Sequence, residues 1–283
     1  MSGKLKRVRL SSGKWRAELL PEYACNLIRL RCGEEDIIRT PASDGEFVKD
    51  HIVYGTAFLL PPDRTIGGSF FFQGKEYRLP INDSRKLSNI HGLMSDAPFK
   101  TVSLTESAAE FVYENKGERY PFPFRATVKC SLDEGCAMEY SFENTGGGDM
   151  PLLFGLHANF ADMGFVKVPV EEEMPMNTET LVPDLRTVPL SGVGREIRDG
   201  TDPHGKEISC FFTAAGKRAE IGDYSFTVSD TFSHWVVWNG TGCEGFISVE
   251  PENGPVNGLK TEGKYALIRK GGTLRFTTDI RRK

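Results

Sequence analysis

The chain is expected to be all-β: a large sandwich or barrel formed by residues 1–283 as a single domain. Two observations carry this. Short runs of β-branched and aromatic residues recur along the whole sequence, each closed by Gly, Pro, Asn or Asp. No window sustains an apolar repeat of 3.6 residues. The runs are too many for one immunoglobulin-sized unit, and no change of composition marks a domain boundary.

Taken in order, Trp15–Leu20, Asn26–Cys32 and Ile37–Ile38 read as strands, separated by Pro21-Glu22-Tyr23 and Gly33-Glu34-Glu35-Asp36. Ser69–Phe72 and Lys75–Leu79 flank Gln73-Gly74, a hairpin signal in which Gly74 supplies a positive φ. Lys100–Leu104, Glu110–Glu114, Ala126–Leu132 and Ala137–Glu143 extend the series, with a loop at Asn144–Asp149. Tyr120-Pro121-Phe122-Pro123-Phe124 reads as an edge or loop because its prolines cannot donate to a ladder. Residues 168–198, rich in Pro, Glu and Thr, read as a long surface excursion, with covering a site among the roles open to it. Seven further short runs follow, from Ile208–Thr213 to Leu274–Asp279.

Among 283 residues, 39% are hydrophobic and 26% charged, an ordinary globular balance with ample material for a core. A net charge of −4 without a dense basic patch argues against a nucleic-acid partner. No apolar run is long enough to span a bilayer. The basic opening Met1–Arg7 is not followed by an apolar stretch of signal-peptide type, so the expected compartment is the cytoplasm. The six cysteines show no metal-type spacing and are expected as reduced thiols, with no metal or other cofactor.

Two stretches share one design. Phe246-Ile247-Ser248-Val249-Glu250-Pro251 is an apolar strand running into a carboxylate, with pairing expected to stop at Pro251. Leu152-Leu153-Phe154-Gly155-Leu156-His157 does the same with an imidazole. Desolvation at such a position raises a carboxyl pKa toward the range of a general base. Arg64 lies in a loop between Pro61-Pro62 and Gly67-Gly68, and His91 precedes a Gly that permits a close backbone approach. Read singly, these residues also fit a strand cap, a core histidine, a surface ion pair and a solvated loop histidine. His51, His204 and His234 read as surface residues.

Together the motifs are specific. Pro61-Pro62-Asp63-Arg64, Gly74-Lys75-Glu76-Tyr77, Leu79-Pro80-Ile81-Asn82, Asn89-Ile90-His91-Gly92, Tyr120–Phe124, Phe154-Gly155-Leu156-His157 and Val249-Glu250-Pro251 occur in an order that resembles the aldose 1-epimerase (galactose mutarotase) family. The likeness runs from about Trp15 to the C-terminus. It implies a two-sheet antiparallel sandwich, an isomerase without cofactors, and a small-molecule sugar, an aldohexose, as partner; it leaves the oligomeric state open. It also implies Glu250 as general base and His157 as general acid, with His91 and Arg64 binding sugar hydroxyls. An aspartate of the family that binds hydroxyls is matched by Asp202, with Asp199 as rival. An aromatic face for the sugar would come from Trp235 or Trp238, one of them inward by alternation, unless both are core residues; Trp238 is the candidate carried forward.

The chain departs from the pattern at three places. Asp63 stands where the family commonly has Asn, Ala158-Asn159 where it has Pro-Tyr, and Glu252 where an aromatic often follows Glu-Pro. The implied chemistry opens the hemiacetal with acid and base on opposite sides of the ring. The sugar then rotates about C1–C2 and recloses. Two alternatives remain: a hexose-6-phosphate 1-epimerase, which would draw on Arg85, Lys86 or Arg125, and a non-catalytic carbohydrate-binding protein on the same fold.

Overall fold

The computed structural model describes residues 5–177, 179, 182–183 and 185–283. Trp15–Leu20 and Asn26–Cys32 form strands with the expected limits. They belong to a four-stranded antiparallel sheet together with Val8–Ser12 and Glu35–Asp36. At the Gln73-Gly74 turn both residues have positive φ, 49° and 76°, as a two-residue hairpin turn requires.

Two large sheets make the sandwich. The eight-stranded sheet runs Lys100–Leu104, Ala108–Asn115, Phe124–Leu132, Gly135–Asn144, Thr273–Arg282, Tyr224–Val228, Arg218–Ile221, Val166–Lys167. The seven-stranded sheet runs Val188–Pro189, Val170–Glu173, Ser209–Ala214, His234–Trp238, Phe246–Glu252, Gly155–Ala161, Thr56–Leu59. Period-2 alternation puts one face of each into the shared core. Along Phe124–Leu132, for example, Ala126, Val128, Cys130 and Leu132 are buried while Arg125, Lys129 and Ser131 are exposed. Phe154 sits at the centre. Its ring lies 4.9 Å from Phe58 of one sheet and 5.0 Å and 4.9 Å from Phe142 and Phe276 of the other. Truncating such a side chain to Ala would cost about 3–5 kcal/mol.

Two expectations change. The strand through Glu250 does not end at Pro251 but continues to Glu252, pairing Trp235 with Pro251 and His234 with Glu252. The missing Pro N–H is accommodated on the other side. There the ladder pairs Gly155 with Glu252 and Asn159 with Ser248, and no pair is assigned between them, opposite Pro251. Residues 168–198 are also more than a surface excursion, since Val170–Glu173 and Val188–Pro189 are strands of the seven-stranded sheet and Gly192–Asp199 is a helix. Residues 178, 180, 181 and 184 of that stretch lie outside the described residues.

Tyr120–Phe122 is a buried bend, held by the Tyr120 hydroxyl donating to Pro151 O (2.6 Å) and by Phe122 packed 4.5 Å from Tyr77. His51 and His234 are half-buried rather than surface residues, their rings hydrogen-bonded to Ser95 and Ser233. His204 is exposed.

Candidate active site

The outer face of the seven-stranded sheet carries the polar residues that alternation leaves over. Ile247 and Val249 enter the core, so Ser248, Glu250 and Glu252 point the other way. On the neighbouring strand Gly155, His157 and Asn159 share that face. On the next, Trp235 and Val237 are core residues, and Val236 and Trp238 face outward. This settles which tryptophan is available: Trp235 is buried with its Nε1–H donated to Gly216 O, and Trp238 lies 5.6 Å from the His157 ring, edge to face.

A cavity of about 410 Å³ opens over this face, of a size for a small ligand. Glu250, His157, His91, Arg64 and Trp238 all line it, with Asp50, Asp63, Met176, Ser209 and Phe211. Asp202 does not. It is exposed, and its carboxylate accepts from the His204 backbone N–H (2.9 Å), a local turn bond that keeps it on the surface. Its rival Asp199 ends the Gly192–Asp199 helix and pairs with Arg198 (2.8 Å), also outside the cavity. Ser209 and Phe211, two apart on an edge-ward strand, are lining residues that sequence reasoning missed; only their alternation signalled them.

Arg64 and His91 arrive on a small two-stranded sheet in which Arg64 pairs with Ile90. Asn82 holds that small sheet by bonding both the N–H and the C=O of Ile90 (2.6 and 2.9 Å), which gives the Leu79–Asn82 motif its role. Asp83 anchors the guanidinium, Arg64 Nε to Asp83 Oδ2 at 3.2 Å. His91 has a left-handed backbone (φ 60°), and its N–H donates to Asp63 O. Gly92 is required beside it: φ is +67°, and a Cβ would overlap the Leu60 carbonyl.

His157 is oriented by Asn159. The Asn159 amide nitrogen donates to Ile52 O and Gly55 O (2.9 and 3.2 Å), so its Oδ1 faces His157 Nδ1 at 3.0 Å and can only accept. Ser248 Oγ joins this group, 2.8 Å from Nδ1 and 3.1 Å from Asn159 Oδ1. The proton is therefore assigned to Nδ1, and the bare Nε2 stands 3.5 Å from Glu250 Oε1. Burial lowers the imidazole pKa to about 4, against the opposing effect of the Asn159 bond. Burial likewise holds His91 well below the usual value.

Glu250 is 2% exposed, and burial, then the charge of Asp63, pushes its carboxyl well above the usual range. Asp63, Glu250 and Glu252 each place a carboxylate oxygen within 4.8 Å of the others, the only group of three metal-type donors this close among the described residues. Asp63 Oδ2, Glu250 Oε2 and both oxygens of Glu252 are buried with no N–H or O–H donor as partner among the described residues.

The sequence matches the aldose 1-epimerase family model over residues 22–281. The chain belongs to the aldose 1-epimerase family. Over 214 residues it is 23% identical to galactose mutarotase of Sus scrofa, covering 70% of this chain and 61% of that protein. Over 105 residues it is 32% identical to the uncharacterized protein YihR of Escherichia coli, 35% of this chain and 33% of that protein. The matched stretches thus span from a third to about three-fifths of these curated relatives. Among solved structures, a galactose mutarotase-like protein from Clostridium acetobutylicum superposes with a TM-score of 0.88 at 20% identity, covering 99% of this chain and 96% of the other. A galactose 1-epimerase from Lactobacillus acidophilus gives 0.80 at 15% identity, covering 99% and 94%. At these identities the superpositions show the mutarotase-like β fold. Within that epimerase fold, two of this chain's departures, Asp63 and Glu252, meet at Glu250, and a third, Asn159, orients His157.

Proposed function

We propose that the protein interconverts the α and β anomers of a free aldohexose, an aldose 1-epimerase activity. The observation that carries this reading is the pairing of a buried carboxyl, Glu250, with a buried imidazole, His157, 3.5 Å apart in a cavity of sugar size. Family membership agrees with it.

The geometry places the two groups side by side rather than on opposite sides of a ring. That suits the substrate, because the O1 hydroxyl and the ring oxygen are both bonded to C1. Glu250 takes the O1 proton while His157 Nε2 delivers one to the ring oxygen; the C1–O5 bond breaks and a carbonyl forms at C1. After rotation about C1–C2 the O5 hydroxyl attacks the other face. His157 takes back the O5 proton, Glu250 returns its own to O1, and both end as they began. Together the pair holds one proton. In the free protein it resides on Glu250, since that carboxyl is raised and the imidazole lowered; its shift to Nε2 makes the competent pair. Arg64 and His91, whose ring lies 5.6 Å from that of His157, bind hydroxyls, and Trp238 offers its ring to the sugar's C–H face.

The phosphorylated-sugar alternative has less support. Arg85, Lys86 and Arg125 do not line the cavity, whereas Asp50, Asp63 and Glu250 do, a poor setting for a dianion. NMR exchange between anomeric protons, run on free hexoses and on their 6-phosphates, tests the assignment. Exchange sped up only for the phosphates would replace it, and binding without exchange would favour a carbohydrate-binding role.

A further inference from the structure

Three carboxyl groups, Asp63 at 7% exposure, Glu250 at 2% and Glu252 at 0%, meet in one spot, and among the described residues no basic side chain other than His157 forms an ion pair with them. The Arg64 guanidinium is engaged with Asp83. Three negative charges this close and this buried cannot all persist, so the cluster must retain a proton or acquire a cation. Glu252 is the member that does not line the cavity, whereas Asp63 and Glu250 do. Yet a place has been built for it. Its strand partner is Gly155, and a Cβ there would come 3.0 Å from Glu252 Cγ and 2.9 Å from Pro62 Cβ, so only glycine leaves room for the Glu252 side chain. Asp63 is aimed at the same spot from a left-handed backbone (φ 45°), a conformation that costs energy for a residue other than glycine.

We propose that Glu252 is a proton-bearing positioning residue of this site: as a carboxylic acid it donates its hydrogen to the Asp63 carboxylate, fixing Asp63 beside Glu250 and keeping a third negative charge away from the base. A protonated carboxyl is both donor and acceptor, which gives partners to oxygens that two carboxylates would leave bare. The electrostatics agree. Burial, followed by the charges of Asp63 and Glu250, drives Glu252 well above the usual carboxyl range. Its hydrogen bond works in the other direction on Asp63, which burial alone has raised and which settles at about 6. The other groups around Glu252 do not supply a cation. On its own strand it faces Glu250; across the ladders it meets Gly155, without a side chain, and His234, whose pKa burial and two lysines lower to about 4. Arg64 acts on Asp63 only as a distant positive charge, and His91 and His157 are both held neutral. The consequence is a division of labour among the carboxyls, in which Glu252 stores a proton so that Glu250 can exchange one.

This inference rests on the reading of Glu250 as the base, so its test has a readout independent of turnover. The infrared difference between the wild-type protein and Glu252→Gln at pH 7 should show one carboxylic acid carbonyl stretch that the wild type has and the variant lacks, apart from that of Glu250, which both keep. Kinetically, Glu252→Leu should lower kcat tenfold or more, and Glu252→Gln, a neutral donor of the same shape, should recover most of that loss. The acid and alkaline limits of the Glu252→Gln pH profile should stay within about half a unit of wild type, because one neutral group replaces another. Limits displaced downward by about a unit or more would show that Glu252 is charged, and would overturn the proposal. So would the absence of the carboxylic acid band, or its emergence only after treatment with EDTA, which would put a divalent cation among the three carboxylates. Should Glu252→Leu fail to fold, the infrared band and the Glu252→Gln profile still decide. If Glu250→Gln proves fully active, the base assignment falls while the band continues to report on Glu252.

Discussion

His157 Nε2 lies 3.5 Å from Glu250 Oε1, and the opposite edge of the same imidazole is held by Asn159 and Ser248. One side of the ring is thus fixed and the other is free to pass a proton. Because the working form holds a single proton between the two groups, activity should be bell-shaped in pH. On the acid side it should fall as the pair gains a second proton near the His157 value of about 4, and on the alkaline side as the pair loses its last, above the ordinary carboxyl range. A kcat profile from pH 3.5 to 10 checks this; a single sigmoid would mean that one of the two groups is a spectator.

Asn159 should set the acid limit. Asn159→Asp puts a negative charge against Nδ1–H and should move that limit upward by roughly one to three units. A purely structural asparagine would change stability and leave the limit in place.

Asp63 should make the fold sensitive to alkali. Its folded pKa, about 6, lies above its unfolded value of about 3.9. The stability it contributes is therefore fully present below the unfolded value and is lost as pH rises through about 6. Asp63→Asn should be worth about 2–3 kcal/mol more at pH 8 than at pH 3.5, relative to wild type. Urea denaturation at the two pH values measures the difference, and an equal effect at both would remove Asp63 from the charged cluster.

Gly92→Ala should be severe for so small a change. The added methyl meets the Leu60 carbonyl on a left-handed backbone, so a loss on the order of 2–3 kcal/mol is expected, together with displacement of His91. Thermal unfolding and KM report the two effects separately. Glycines with open space around them, such as Gly147, should tolerate alanine.

Much of this was readable beforehand because it depends on local chemistry. β-rich runs bounded by turn signals marked Trp15–Leu20 and Asn26–Cys32, and the ordered motifs singled out Arg64, His91, His157 and Glu250, which all line one cavity. Asp202 lies outside that cavity for a physical reason: a short-range bond from the His204 N–H satisfies it at the surface, and no periodicity reveals such a turn. Pro251 misled because a proline was expected to end pairing, whereas a gap in one ladder lets the strand run on to Glu252. Asp63 and Glu252 were visible only as departures from a family pattern. Their meeting depends on strand register and on the space above Gly155, which are properties of the folded chain.

The central claim is that Glu250 and His157 exchange protons with a free hexose. Polarimetry of freshly dissolved α-D-galactose and α-D-glucose, with the wild-type protein and with Glu250→Gln, tests it most directly. A faster approach to anomeric equilibrium is expected with the wild type, and none beyond the spontaneous rate with the variant. Equal acceleration by both proteins, or by neither, would contradict it.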